Sequence, residues 1–289
     1  MEDTLKVVDP HIHVWDLSTG LYPRRAARGT KKTAVSGDYL LNDLLADAGA
    51  VEIVKAVHVE AAPLDGLAEA RHVQAIADTS GLPQGIVAYT DLGDDDVAAT
   101  LEALTRLANV RGIRQMLDRY VPRPGMVHRD HLNDVDWHAG FGLLARFGLS
   151  FDLQVTPHQL TAAARLASTN PETQIVLNHL GGPGRRWPDW KVWRDGMRAL
   201  GRHENVWAKL SGLAMTDPGW TVESLRPYVY EALEAFGTGR CMFASNFPID
   251  RQGSDYPTLW KAFAAVTADL SDDERAGLMR TNAERCYRI

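Results

Sequence analysis

The chain of 289 residues has 45% hydrophobic and 24% charged residues, a composition typical of globular proteins that excludes a disordered chain. Its formal net charge of −6 argues against a broad nucleic-acid-binding surface. The two cysteines, Cys241 and Cys286, form neither a disulfide framework nor a CxxC metal site, which fits a reducing compartment. No apolar run approaches the roughly 20 residues that span a bilayer, and the sequence MEDTLKVVDP contains no apolar signal core. We therefore expect a cytoplasmic protein with neither nucleic-acid nor membrane partners.

Short apolar segments alternate with helical patterns along the whole chain. Several segments are apolar on consecutive residues, as expected of strands that are buried on both faces of a parallel sheet. In chain order, the predicted strands lie at 5–9, 53–60, 85–91, 110–117, 149–155, 174–179, 205–211 and 240–245. Apolar residues three and four apart predict the accompanying helices, at 38–48, 66–79, 97–108, 134–147, 157–169, 189–202, 221–236, 255–268 and 272–284.

Eight strands, each followed by a helix, predict an α/β fold of the (β/α)8 TIM barrel type with an extra C-terminal helix at 272–284. A doubly wound open sheet is the competing fold, but it usually has fewer strands, and no GxGxxG motif follows the first strand here. No Pro/Ser-rich linker or internal repeat divides the chain. We therefore predict one barrel domain that spans residues 1–289.

The predicted loops differ in length at the two ends of the strands. Connections from helix to strand are short, whereas those from strand to helix are long, at 15–37, 118–133, 181–188 and 212–219. Long loops often carry function, and in a barrel all of these emerge at the carboxyl ends of the strands, where active sites lie. This asymmetry predicts a functional site at that end.

The strongest local signal is the sequence DPHIH at residues 9–13, which ends the first predicted strand. His11 and His13 lie two apart in an extended segment, so both imidazoles can converge on a cation or a substrate oxygen. His179 ends the sixth predicted strand and would rise at the same mouth. A lone histidine at such a position is often structural, but three at one mouth favour a functional site. His58 is either part of this site or a core histidine.

Charged residues near strand ends supply candidates for proton transfer and substrate binding. Asp250 and Glu60 are the candidate bases, although a helix cap or an ion pair would also explain them. Arg114 ends the fourth strand and suits an anionic substrate, because guanidinium binds carboxylate bidentately. Trp15 and Tyr120 are candidate walls of a small-molecule pocket, and either could instead anchor its loop.

Four motifs together resemble the amidohydrolase superfamily, of the amidohydrolase-2 type. They are VDPHIHVWD at 8–16, GIR at 112–114, VLNHLGG at 176–182 and MFASNFP at 242–248. The resemblance covers nearly the whole chain and is greatest to the branch that includes sugar-lactone and 2-pyrone-4,6-dicarboxylate lactonases. It implies a single distorted (β/α)8 barrel whose site contains His11, His13 and His179.

Two positions depart from the pattern of the superfamily. An aspartate usually ends the eighth strand as metal ligand and proton shuttle, but the matching residue here is Asn246. An amide has no titrating proton and is a poor ligand, so Asn246 can orient water or substrate but cannot be the base. Many relatives have a histidine on the fifth strand, where the nearest polar residue is Gln154, a candidate for substrate binding.

These departures leave the metal content open. His11, His13 and His179 could hold a divalent ion, zinc or manganese, with an open coordination position. They could equally polarise a carbonyl without metal, with Asp250 or Glu60 replacing the missing base.

Our leading hypothesis is a hydrolase that opens a small lactone, either a sugar-acid lactone or a carboxylated one. The three histidines would polarise the carbonyl, and Arg114 would hold a carboxylate or the developing oxyanion. One alternative, motivated by Asn246, is a lactone isomerase or a decarboxylase of the same superfamily. Another is a barrel that has lost catalysis and binds a small ligand. The expected partner is a small-molecule substrate, and the sequence leaves open whether the chain forms a homo-oligomer.

Overall fold

The computed structural model describes residues 4–23, 37–117, 130–183, 189–217 and 219–289. These residues contain eight strands that pair in parallel, in the order β1 to β8. The strands are β1 (Lys6–Ile12), β2 (Glu52–Val59), β3 (Gly85–Ala88), β4 (Val110–Met116), β5 (Ser150–Gln154), β6 (Ile175–Leu177), β7 (Val206–Leu210) and β8 (Cys241–Phe243). A parallel bridge between Ile12 and Phe247 brings the end of β8 back to β1. The predicted (β/α)8 barrel is therefore confirmed.

Helices follow the strands around the outside of the barrel. They are α1 (Leu41–Ala48), α2 (Gly66–Ser80), α3 (Val97–Thr105), α4 (Val135–Leu143), α5 (Leu160–Thr169), α6 (Trp190–Gly201), α7 (Val222–Phe236), α8 (Tyr256–Val266), α9 (Asp272–Ala276) and α10 (Asn282–Tyr287). Helix α8 completes the eighth unit. Helices α9 and α10, joined by a π-helical turn at Gly277–Thr281, are the predicted C-terminal addition.

Two strand ends differ from the sequence pattern in ways that position the site. Strand β1 continues to Ile12 instead of ending at residue 9, because Ile12 pairs with His58 across a register shift. His11 therefore lies inside a strand. Strand β6 ends before His179, which is carried instead by a tight turn at Asn178–Gly181 whose backbone is left-handed at His179 and Leu180.

The barrel interior is packed with β-branched and aromatic side chains, and α10 closes its floor. Ala283, Cys286 and Tyr287 of α10 are buried against inward-facing residues of six strands, namely Val8, Val57, Val59, Val87, Val176, Trp207 and Met242. The chain end is tied to the amino ends of the strands, where Lys55 Nζ donates to the Ile289 carbonyl oxygen at 2.9 Å. The C-terminal helix thus lies opposite the candidate site.

A second apolar layer lies between the strands and the outer helices. It includes fully buried Trp137, Trp193 and Trp260. Burial of one large apolar side chain stabilises a fold by about 1.5–3 kcal/mol, so this layer holds the helices firmly against the sheet. Within the described part of the chain, no helix has the length and apolar character needed to cross a membrane.

Candidate active site

The structure brings the three predicted histidines together at the carboxyl ends of β1 and β6. The ring centroid of His11 lies 5.0 Å from that of His13 and 4.5 Å from that of His179. All three side chains are buried, His179 being the most exposed at 7%. They form a compact imidazole cluster at the end of the barrel where the sequence predicted a site.

Asp9, the first residue of the DPHIH sequence, ties this cluster to the opposite edge of the sheet. Its Oδ1 accepts hydrogen bonds from the backbone N–H groups of His11 and Ser245, at 3.2 and 3.0 Å. Its Oδ2 accepts from the Tyr256 hydroxyl of α8 at 2.9 Å. The Asn246 N–H also donates to the His11 carbonyl oxygen at 2.9 Å. These bonds fix the position of His11 relative to the residues after β8.

Strained backbone marks three of the strand ends that surround the cluster. Ala62, His179, Leu180 and Asn246 have positive φ values of 59°, 52°, 54° and 58° without being glycine. Such residues cost about 1–3 kcal/mol each and persist where the surrounding structure determines them, often at functional sites. Two of the four, His179 and Asn246, are residues that the sequence predicted for the site.

Hydrogen bonds fix the tautomer of His13, orient the His179 ring and give His58 a different role. His13 Nδ1 donates to the Val59 carbonyl oxygen at 2.7 Å, so its Nε2 carries the lone pair. His179 Nδ1 lies 2.9 Å from the Ser211 hydroxyl. His58 Nδ1 instead accepts from the Val14 N–H at 3.3 Å, a contact that supports the backbone. His58 is therefore part of the site's scaffold.

Burial and neighbouring cations keep His11 and His179 neutral. Burial lowers the pKa of His179 to about 3, and the charges of Arg114 and Lys209 add to this effect. Burial, followed by the charge of Lys209, also holds the pKa of His11 well below its usual value. At neutral pH these rings therefore act as neutral hydrogen-bond donors and acceptors.

Arg114 is buried beside the cluster and is bound mainly to Glu60. Its Nε donates to Glu60 Oε1 at 2.7 Å and its Nη2 to the Glu60 carbonyl oxygen at 2.5 Å. Its Nη1 lies 3.2 Å from Gln154 Oε1 and 3.4 Å from His11 Nε2. Burial raises the pKa of Glu60, and Arg114 opposes that shift. Four predicted site residues, Arg114, Glu60, Gln154 and His11, therefore meet in one hydrogen-bonded group.

Asp250 lies on the other side of the cluster and is buried beside Asn246 and Gly212. It is 1% exposed, accepts from Asn246 Nδ2 at 2.7 Å and is hydrogen-bonded by the Gly212 backbone. Burial raises the pKa of Asp250 to about 7. A Cβ atom on Gly212 would lie 2.8 Å from the His179 ring. The Gly212 backbone therefore lies between the His179 ring and the Asp250 carboxylate.

Two charged residues inside the barrel escaped the sequence-based site prediction. Lys209 of β7 and Asp152 of β5 are fully buried and form an ion pair with Nζ 2.6 Å from Oδ2. Lys209 Nζ also lies 3.4 Å from His11 Nδ1. The available signal was a lysine in the middle of the otherwise apolar strand VWAKL, where an unpaired charge would be costly.

Comparison with known proteins identifies the family. The Amidohydrolase family model matches residues 8–289. The chain belongs to the amidohydrolase family. The uncharacterized protein y4mH of Sinorhizobium fredii is 40% identical over 303 residues, covering 99% of this chain and 99% of that protein. An L-fucono-1,5-lactonase of Burkholderia ambifaria is 29% identical over 291 residues, covering 98% of this chain and 95% of that protein.

A solved structure supports the same assignment. An amidohydrolase from Burkholderia multivorans with bound zinc has a TM-score of 0.84 and 25% sequence identity, covering 98% of this chain and 99% of that one. Together with the lactonase relative, it confirms the resemblance to the lactonase branch of the amidohydrolases that the four sequence motifs indicated.

The residues of this amidohydrolase do not fit a resident divalent ion. Among the side chains that the structure describes, no three histidine, cysteine, aspartate or glutamate residues are arranged to hold a metal. His11 faces a cation at each ring nitrogen, Lys209 at Nδ1 and Arg114 at Nε2, both at 3.4 Å. A zinc ion about 2.0–2.1 Å from either nitrogen would lie close to an existing positive charge. The amide of Asn246, at the usual ligand position on the eighth strand, is a poor ligand.

Two further residues of this amidohydrolase were predicted to bind substrate. Trp15 is 1% exposed, its Nε1 donates to the Gly37 carbonyl oxygen at 2.7 Å, and its ring packs on Tyr39. These contacts anchor the loop after β1, which is the structural role that the sequence left open. Tyr120 lies outside the described residues, so its predicted role stays a prediction.

Proposed function

We propose that this amidohydrolase hydrolyses a small lactone, either a sugar-acid lactone or a carboxylated one. The observation that carries the proposal is Asp250, a buried carboxylate with a raised pKa that is hydrogen-bonded by the Gly212 backbone, whose other side packs against His179. Lactone opening needs a base that removes a proton from water and donors that polarise the carbonyl. The lactonase relative supports this choice among the reactions that the fold can host.

The first step requires polarisation of the lactone carbonyl. We assign this to the cluster of His11, His13 and His179, with His179 as the principal donor. When the Ser211 hydroxyl donates to His179 Nδ1, the neutral ring presents Nε2–H to the carbonyl oxygen. The positive charge of Arg114 favours the oxyanion that develops.

The second step transfers a proton through Asp250. A water molecule bonds to the carbonyl carbon as its proton passes to the Asp250 carboxylate. The bond between that carbon and the ring oxygen then breaks, and the ring oxygen takes the proton from Asp250. The product is the open hydroxy acid. Asn246 holds Asp250 in place through its Nδ2, and Glu60 is the less suitable base because Arg114 already neutralises it.

A screen of purified protein on sugar-acid and carboxylated lactones tests this proposal, with a pH indicator that reports the acid formed. We expect His179→Gln to lower kcat by about 100- to 1,000-fold, because one oxyanion donor is lost. His203→Gln is the matched control, since His203 precedes β7 at the opposite end of the barrel. No turnover of any lactone by the wild type, with or without added zinc or manganese, would contradict the proposal.

A lactone isomerase or a decarboxylase is the second candidate, because the amide of Asn246 cannot shuttle a proton as the usual aspartate does. NMR analysis of the products separates these reactions. Incorporation of water shows hydrolysis, an isomeric lactone shows isomerisation, and release of carbon dioxide shows decarboxylation.

A further inference from the structure

A buried column of polar side chains runs through the barrel interior beneath the histidines. Tyr287 of α10 donates its hydroxyl to Asp152 Oδ1 at 2.8 Å from the floor of the barrel. Asp152 pairs with Lys209, whose Nζ reaches to 3.4 Å from His11 Nδ1. The column therefore links the C-terminal helix to the candidate site, and the proposed reaction gives it no role.

The contacts of Lys209 account for the three donors of its ammonium group. One donor is directed at Asp152 Oδ2, a second at His11 Nδ1, and the third side faces the Tyr287 ring, whose centroid lies 5.0 Å from Nζ. Asp152 is itself held by Asn178 Nδ2 at 2.9 Å. Asp152 and the Tyr287 ring thus hold the Lys209 ammonium on the side of the C-terminal helix, and its remaining N–H donor is directed at His11 Nδ1.

This contact bears on the tautomer of His11. A neutral imidazole has one acceptor nitrogen, so only one of its two cationic neighbours can donate to it. Besides His11, Arg114 donates to Glu60 Oε1, to the Glu60 carbonyl oxygen and to Gln154 Oε1, so it keeps these acceptors when His11 Nε2 is protonated. Lys209 donates to Asp152 Oδ2 and has His11 Nδ1 as its second acceptor among the described contacts, so a proton on Nδ1 would cost the buried ammonium one of these two bonds. The acceptor nitrogen of His11 is therefore Nδ1.

We propose that Lys209 is a positioning residue that donates to His11 Nδ1 and so keeps the His11 proton on Nε2, the ring nitrogen on the side of Arg114, and that Asp152 and Tyr287 hold Lys209 in place. The role in catalysis rests on the proposed lactone hydrolysis, whereas the tautomer can be measured without any substrate. Fold stability alone is a weak explanation for the pair, because replacing a buried ion pair by neutral groups is often neutral or stabilising.

The experiment compares Lys209→Met, the double variant Asp152→Asn/Lys209→Met and Tyr287→Phe. The double variant removes both charges together, so it tests the contact to His11 without leaving a carboxylate unpaired. Gln174→Met is the matched control, because Gln174 Nε2 anchors the same C-terminal helix at the Cys286 carbonyl oxygen, 2.9 Å away. Each protein is labelled with 15N-histidine, and the His11 signals are assigned by their loss in His11→Asn.

Imidazole 15N shifts at one fixed pH, the urea midpoint, kcat and KM are measured for every variant. We expect wild-type His11 to show an unprotonated Nδ1, and this state to be lost in Lys209→Met and in the double variant. In both, kcat should fall by about 10- to 100-fold with a smaller change in KM, as when a group that orients an imidazole is removed. Tyr287→Phe should shift both readouts in the same direction by less, and Gln174→Met should change only the urea midpoint.

Two results would overturn the inference. The first is a protonated Nδ1 on wild-type His11, or 15N shifts of His11 that remain unchanged in both Lys209 variants. The second is a double variant whose kcat returns to the wild-type value, because the pair would then serve stability alone. If wild-type protein turned over no lactone, the proposed function would fail, and the 15N shifts would still decide whether Lys209 sets the His11 tautomer.

Discussion

Replacing Asp250 by asparagine should make the protein more stable at alkaline pH while it removes the proposed base. Burial raises the pKa of this carboxyl from 3.8 to about 7. A pKa difference of one corresponds to about 1.4 kcal/mol, so ionised Asp250 destabilises the fold by about 4 kcal/mol. The neutral amide of Asp250→Asn avoids this cost and keeps one oxygen that can accept from Asn246. Its NH2 group replaces the second carboxylate oxygen and weakens acceptance from the Gly212 backbone, a loss of about 1 kcal/mol that does not depend on pH.

The pH dependence has a definite sign. Because the folded-state pKa of Asp250 lies above its unfolded-state pKa, the folded protein binds this proton more tightly. The resulting stability is fully present below about pH 4 and is lost as the pH rises through about 7. The stability of Asp250→Asn relative to the wild type should therefore rise by about 4 kcal/mol between pH 4 and pH 8.

Urea unfolding of the wild type and the variant at several pH values measures this difference. Asp95→Asn is the matched control, because Asp95 is exposed and its loss should leave the pH dependence unchanged. In the lactone assay, kcat/KM of the wild type should rise with pH around 7, since the base acts when ionised, and Asp250→Asn should lower kcat by about 100- to 10,000-fold. Equal stabilities of wild type and Asp250→Asn near both pH 4 and pH 8 would refute the assignment of a desolvated carboxylate.

Three further perturbations test the remaining parts of the site. Gly212→Ala should lower kcat strongly, because the new Cβ atom would lie 2.8 Å from the His179 ring. Gly81→Ala is the control: Gly81 has a similar φ but open space around it, so this substitution should affect only stability. Asn246→Asp should move the midpoint of the kcat/KM profile above that of the wild type, because a second carboxylate beside Asp250 raises the pKa of the pair; an unchanged midpoint would contradict their contact. Dialysis against a chelator should leave kcat unchanged, since the described residues do not fit a divalent ion; loss of activity that zinc restores would show that they do.

The sequence predicted the fold well because a parallel barrel leaves a clear pattern. Strands buried on both faces are rich in consecutive apolar residues, and every one of the eight predicted segments overlaps an observed strand. The predicted β1 ended at residue 9, too early, because the polar residues of the DPHIH sequence are typical of the end of a strand. Asp9 and His11 are nevertheless buried inside the barrel wall, because hydrogen bonds from the β8 side satisfy them.

The histidine cluster was predictable for a related reason. Spacing and strand position place His11, His13 and His179 at one end of any parallel barrel, whatever the side-chain packing. The protonation state of Asp250 was not predictable, because its raised pKa arises from desolvation by surroundings that the tertiary fold supplies. The contact between Tyr287 and Asp152 could not be predicted from the sequence, because the two residues lie 135 positions apart and only the tertiary fold brings them together.

The charges in the site bear on which lactone it binds. Within the described residues, Arg114 is paired with Glu60 and Lys209 with Asp152, so each of these buried cations has its own carboxylate. For Arg114 to bind a substrate carboxylate, as the sequence suggested, it would have to give up bonds of 2.7 and 2.5 Å to Glu60. Above pH 7 the ionised Asp250 adds a negative charge. These described charges therefore favour an uncharged sugar lactone over a carboxylated one, and a ratio of kcat/KM values for the two classes measures that preference directly.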